Sequence, residues 1–503
     1  MNPIMPADYS DIDVIRVGAR YYAISSTLHM SPGMVVMQSD DLVNWQTLGH
    51  AVPDITPLGA NLTWREMDGY GRGVWAGALR YHNHRFYLYF ACPDSGVFVT
   101  TARDPKGPWA TPICLWHVAG YDDPCPFWDD DGRAYLIMTR FAKDPDTQVD
   151  YNIHLFEMSA DGLSLNTSKS RIVHRSEGSE ANKLDKRDGV YYHYFSEVKP
   201  EGRVPMMRRA RSLAGPWEER QLGHVDKNID REPNQGGFIQ SPDGNWWFLT
   251  HQGRGDWEGR ALCLLPVTWT DGWPIVGTPG DDGIGNMVWQ HRLPISGTRP
   301  KTVKLSADFS KPLLGTQWEW NHEPNPAAWR LQPNLGRLRL KAFRPLGPDF
   351  KMVANVVSQR AWRTNRNQVT TQMHLSEMTD GQIAGLCHAS ASSAFIGIRQ
   401  AGNVRRVLFQ AGTLEVFGPP VRQTTIWLRT EWDFGGNAQF SYSLNGRTFR
   451  ALGPGYSLGW GNYRGDRVGL FTFNPKRDSG AASFSTFTYQ IAAQNGAADA
   501  GFG

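Results

Sequence analysis

The chain has 503 residues and carries 52 Lys and Arg against 49 Asp and Glu, a near balance that excludes the broad basic face needed to grip nucleic acid or an anionic membrane. Its apolar runs, such as ALCLLPV around Cys263, are far too short to span a bilayer, so the expected partner is a small or uncharged ligand. The length predicts two domains, or one large domain with an appendage, because single cores stop growing beyond ~300 residues.

The N-terminal MNPIMPADYS has neither a basic region nor an apolar one, so no export signal is visible and the compartment stays open between cytoplasm and export after leader removal. Five runs of one type then follow in chain order: VGARYYAIS, YHNHRFYLYF, DDDGRAYLIM, KRDGVYYHYF and SPDGNWWFLT. Each is a turn followed by an aromatic strand. The turns centre on Gly18, Asn83, Gly132, Gly189 and Gly244, roughly 50 to 65 residues apart, close to the ~40 to 50 of propeller blades with loops inserted. A second element recurs in phase: SDDLVNW at Ser39, TARDPKGPW at Thr101, MSADGLSL at Met158, RARSLAGPW at Arg209 and VTWTDGW at Val267. Segments such as GMVVMQS alternate with strand period, and long helical periodicity is absent. The prediction is all-β, with a five-bladed β-propeller over residues 1–297.

RLPISGTRPK, residues 292–301, reads as a Pro- and Gly-bearing connection. Beyond it, alternating segments from GRLRLKAF to FSTFTYQIA, joined by turns such as Asn445-Gly446, predict a β-sandwich of jelly-roll, concanavalin-like type over residues 303–492. Residues 493–503 are small and polar and are expected to be disordered. The 20 Trp suit stacking on sugar C–H faces, although most such rings fill β cores. Five cysteines, odd in number and without paired spacing, predict no disulfide framework.

A propeller gathers loops from every blade around one mouth, so chemistry there is assembled from acids on different blades. Asp11 precedes the first aromatic unit, Asp123 the third and Glu180 the fourth. An Asp before a strand is usually a turn or cap residue, and Asp129, Asp130 and Asp131 in DDDG are read that way. Equivalent placement upstream of three separate units is what singles out the other three.

These residues carry a resemblance to glycoside hydrolase family 43. YSDIDVIRVGARYY resembles the family's first-blade motif YPDPDVIRVGDTYY, and SDDLVNWQTLGH, GRGVWAGALRYH, DDPCPFWDDDGRAYL, ARSLAGPWE and NQGGFIQSPDGNWWFLTHQ are similarly family-like. The region from Leu305 onward resembles the sandwich often appended to these enzymes. The resemblance implies Asp11 as general base, Asp123 as the acid that tunes its partner and orients substrate, and Glu180, nine residues before Gly189, as general acid. Glu177 is the runner-up for the acid, and Asp13 is expected to support Asp11 rather than react. Trp75, His29, Met30, Arg292 and His251 are the expected substrate-binding residues. His251 resembles a histidine at the axis of many relatives, which brings in a structural Ca2+ as an option; one His with waters is atypical for an ion preferring six to eight oxygens, and no metal is required for the chemistry. The implied activity is an inverting exo-glycosidase releasing terminal xylose or arabinofuranose from xylo-oligosaccharides or arabinoxylan. The alternatives are an arabinan-cleaving relative with an open groove and a non-catalytic sugar-binding propeller.

Overall fold

Five small antiparallel sheets surround one axis, and the turn chemistry read from the sequence explains where each begins. The computed structural model describes residues 1–141, 151–226, 233, 235–253, 256–295 and 303–492; residues 296–301 of the expected connection 292–301 and the expected disordered tail lie outside the described residues. The five turn centres all have positive φ, at 62° for Gly18, 45° for Asn83, 83° for Gly132, 73° for Gly189 and 86° for Gly244. Glycine reaches that region without a Cβ clash, and Asn tolerates it. Each turn joins the first strand of a sheet to the second. The second recurring element falls each time at the connection from third to fourth strand, as between Gly33–Ser39 and Gln46–Val52 or between Gly202–Ala210 and Glu218–Gln221.

The first strands, Asp13–Val17, Gly77–His82, Tyr121–Trp128, Glu180–Arg187 and Gly236–Gln240, pack against one another around the axis. Met5–Asp8 pairs antiparallel with Arg260–Thr270 in the last sheet, so the chain's beginning closes the ring. Closure packs the first blade on the last, covering the two sheet faces that a linear array of blades would expose.

Residues 303–492 supply seven strands of one eight-stranded antiparallel sheet and all eight of another. One of them takes its outermost strand from the propeller: Met30–Ser31 pairs with Glu319–Asn321, with Met30 opposite Asn321 and Ser31 opposite Trp320. A single apolar cluster continues from Tyr9, Trp45 and Trp247 of the propeller to Trp318, Trp362 and Phe440 of the sandwich. Glu319 is fully buried at this seam and accepts from Arg360 at 2.8 Å and Arg467 at 2.7 Å, with His50 at 3.2 Å. Among the described residues no helix is long and apolar enough to cross a membrane.

Candidate active site

A cavity of about 590 Å³ opens at one mouth of the propeller axis, within the size range of small-ligand sites. Asp11, Asp123 and Glu180 all line it, each delivered by a different sheet. Asp11 and Asp123 have φ of 55° and 50°, and Ala181, after Glu180, has 68°. Non-glycine residues hold such values only where surrounding contacts over-determine them, and these turns occur where the inner strands reach the cavity.

Asp11 sits in a cage of donors. Its Oδ1 accepts from Arg260 Nη1 at 2.6 Å and its Oδ2 from Arg260 Nη2 at 3.0 Å, while the Ser26 hydroxyl also donates to Oδ2. Burial alone would raise its pKa, but the Arg260 guanidinium, His251 and the Ser26 hydroxyl together hold it below the ordinary carboxylate value. Asp11 is therefore ionised at neutral pH.

Glu180 has the opposite environment. Burial pushes its pKa up to about 7, and the nearby charges of Asp123 and Asp11 add to the rise, while Arg203, 3.1 Å from Oε1, opposes it. About a third of its side chain, 31%, still faces the open cavity, so its proton can reach a bound molecule. Asp123 accepts from Ala181 N at 2.7 Å and from Gln235 Nε2 at 2.8 Å, bonds that lock it beside Glu180. Two titratable groups whose environments drive their pKa values apart are the arrangement that acid and base catalysis requires.

The remaining expectations divide. Trp75 lines the cavity, donates through Nε1 to Gly71 O at 3.0 Å and stacks on Phe141 at 5.7 Å. His251 lies beneath Asp11, where its Nδ1 accepts from Asp11 N at 3.0 Å. That bond occupies Nδ1, and one imidazole nitrogen is a poor ligand for an ion that prefers six to eight oxygens. Among the described residues, the one group of at least three His, Cys, Asp or Glu side chains close enough to share an ion is His174, Glu197 and Glu219, away from the cavity. The donor set around His251 does not fit a calcium ion.

His29 and Met30 are not brought to this cavity; both are buried in the seam, where Met30 joins the sandwich sheet and His29 Nδ1 accepts from Gly71 N at 3.0 Å. Arg292 is exposed beyond the last blade and does not line the cavity, because the chain leaves the propeller along its flank, where His291 packs on Trp247 at 5.3 Å. Glu177 is exposed and Asp13 is spent on Leu79 N at 2.8 Å and Arg80 Nη1 at 2.7 Å. Asp129, in the DDDG turn, binds Lys186 at 2.6 Å and Tyr191 at 2.6 Å, tying two blades together.

Several site residues escaped the sequence reading. Arg260 reaches Asp11 across 249 positions of chain, and no local pattern marks it. Asp122 lines the cavity and accepts from Asp123 N at 2.8 Å; burial and the charge of Asp123 hold its carboxyl well above the ordinary range. Its signal was the doubled acid in YDDP. Trp460 and Tyr463 come from the sandwich, and Arg260 Nε donates to Tyr463 O at 3.1 Å, which fastens that loop to the Asp11 cage. The aromatic pair in WGNY was the available cue.

Comparison with known proteins adds an independent line. Residues 1–274 match the family described as glycosyl hydrolases family 43, and residues 306–490 match the β-xylosidase C-terminal concanavalin A-like domain. A β-xylosidase of Formosa agariphila is 34% identical over 97% of this chain and 90% of its own length. A non-reducing end α-L-arabinofuranosidase of Bacteroides ovatus is 30% identical over 68% of this chain and 64% of its own. Among solved structures, a bifunctional family 43 enzyme of Bacteroides eggerthii superposes with a TM-score of 0.86 at 28% identity, over 98% of this chain; the chain spans 63% of that protein's length.

Proposed function

The chain belongs to glycosyl hydrolase family 43, and from that premise we propose that it is an inverting exo-acting β-xylosidase with α-L-arabinofuranosidase activity, using Asp11 as base and Glu180 as acid. The observation that carries the reading is the divergence of those two carboxyls inside one cavity, Asp11 held down by Arg260 and Glu180 raised to about 7. Inversion requires a carboxylate that takes a proton from water and a protonated carboxyl on the other face of the sugar. In this assignment Glu180 gives its proton to the leaving oxygen as the glycosidic bond breaks. Asp11 takes a proton from the water whose oxygen bonds the anomeric carbon, and the sugar leaves with opposite configuration. Asp123, locked by Ala181 and Gln235, raises the pKa of Glu180 by like charge.

The exo mode is supported by the sandwich loop, since Trp460 and Tyr463 wall one side of the cavity. This disfavours arabinan cleavage in mid-chain. The arabinofuranosidase component is supported by the named activity of the Bacteroides ovatus relative. The reading is tested with nitrophenyl β-D-xylopyranoside and α-L-arabinofuranoside. Turnover of both is expected; sugar binding without turnover of either would replace it with a binding role.

A further inference from the structure

A second cavity, of about 460 Å³, lies at the other end of the propeller axis. Three inner strands run from one cavity to the other. Glu180 lines the first and Lys183, Asp185 and Arg187 of the same strand line the second; Asp11 is followed by Asp13 to Arg16, and Gln235 by Gly237 to Gln240. The strand rise of ~3.3 Å per residue keeps the two sites apart without isolating them. Period-two alternation places Lys183, Asp185 and Arg187 on one face of their strand.

The charges here do not cancel. Asp13 is committed to Arg80 at 2.7 Å, and Asp185 to Arg187 at 2.8 Å. Lys183 is buried, with 8% exposure, and its charge acts on Asp123 of the first cavity, opposing the rise that burial gives that carboxyl. Arg16 donates to the carbonyl oxygens of Gly18 and Gln240, at 3.1 and 3.4 Å, and lies 5.9 Å from the centroid of the Tyr21 ring. Two cations thus border this cavity, Arg16 held by carbonyl oxygens and Lys183 facing a carboxylate, Asp123, that belongs to the other cavity. The walls between them are partly exposed rings, Tyr192, Phe238, Trp246 and Trp269. Arg187 rests over Trp246 with its guanidinium 4.0 Å from the ring centroid, which limits the freedom of both side chains.

We propose that this cavity is a second binding site, taking a sugar acid such as a uronate. The carboxylate meets Lys183 and Arg16, the C–H face of the ring lies on the aromatic wall, and the hydroxyls bond Asp185 and Gln240. This site shares the charge of Lys183 with Asp123 but does not rest on the roles assigned to Asp11 and Glu180.

Titration calorimetry of the full chain with D-glucuronate tests it. Wild type and Asp11→Asn should bind alike, saturating xylose should leave the isotherm unchanged, and Lys183→Gln should weaken binding about ten-fold, the loss of one charge-assisted hydrogen bond. Arg16→Gln, an exposed position, gives a second weakening if Lys183→Gln does not fold. No binding, loss of binding with xylose, or unchanged affinity in the variants that fold would overturn the proposal. Inorganic phosphate binding as tightly as glucuronate would make this a bare anion site and overturn the sugar-acid assignment.

Discussion

Arg203 and Arg260 divide the work of setting proton positions. Arg260 makes two bonds to Asp11, whereas Arg203 makes one 3.1 Å contact with a Glu180 that burial and two nearby carboxylates have already raised. As pH rises through about 7 the acid loses its proton, so kcat/KM is expected to fall there, and its acidic limb should lie below the ordinary carboxylate range. Because the carboxyls interact, the limbs report apparent values of the cluster. Arg203→Met removes the group that favours the ionised acid; the alkaline limb should move to higher pH, and a downward move would reject this account of Glu180. Asp11→Asn and Glu180→Gln should each lower kcat by ~10³-fold or more, within the range of general acid and base catalysis, while Glu177→Gln stays near wild type because that side chain is exposed and away from the cavity. At this scale the sequence was partly legible. The resemblance to the family's acid motif, aligned on Gly189, is what points to Glu180 rather than Glu177, and Glu180 is the one of the two that lines the cavity. Nothing local marks Arg260, whose role arises only when the last blade closes on the first.

At the scale of elements, the short strand Met30–Ser31 is the clearest departure from expectation. LHMSPG has the composition of a loop that lines a cavity, and the same composition serves a loop that adds a strand to a neighbouring sheet; only the partner, Glu319–Asn321, decides between them. The blades, by contrast, were legible because Gly18, Gly132, Gly189 and Gly244 mark turns whose backbone demands glycine. The seam strand carries Glu319, which holds Arg360 and Arg467 in a buried network. Glu319→Gln leaves two buried guanidinium groups to share the single carboxylate of Asp8, 3.7 Å from Arg467, and is expected to cost about 3–5 kcal/mol in denaturant unfolding. A loss under ~1 kcal/mol would mean that the seam draws little from this cluster.

For the whole molecule, the shared apolar cluster and the borrowed strand make propeller and sandwich one structural unit, despite a sequence that reads as two domains. Removing the sandwich would expose much of that cluster, so point changes in its cavity loop are the cleaner probe of exo action. Trp460→Ala should raise KM for short xylo-oligosaccharides and admit cleavage within longer chains, seen as oligomers among the products; pentose as sole product with unchanged KM would remove the sandwich from substrate selection. The central claim is that water, activated by Asp11, attacks opposite to Glu180. Proton NMR of the first sugar released from a β-D-xyloside tests it most directly: α-xylose appearing before mutarotation is the predicted result, and β-xylose would contradict the account.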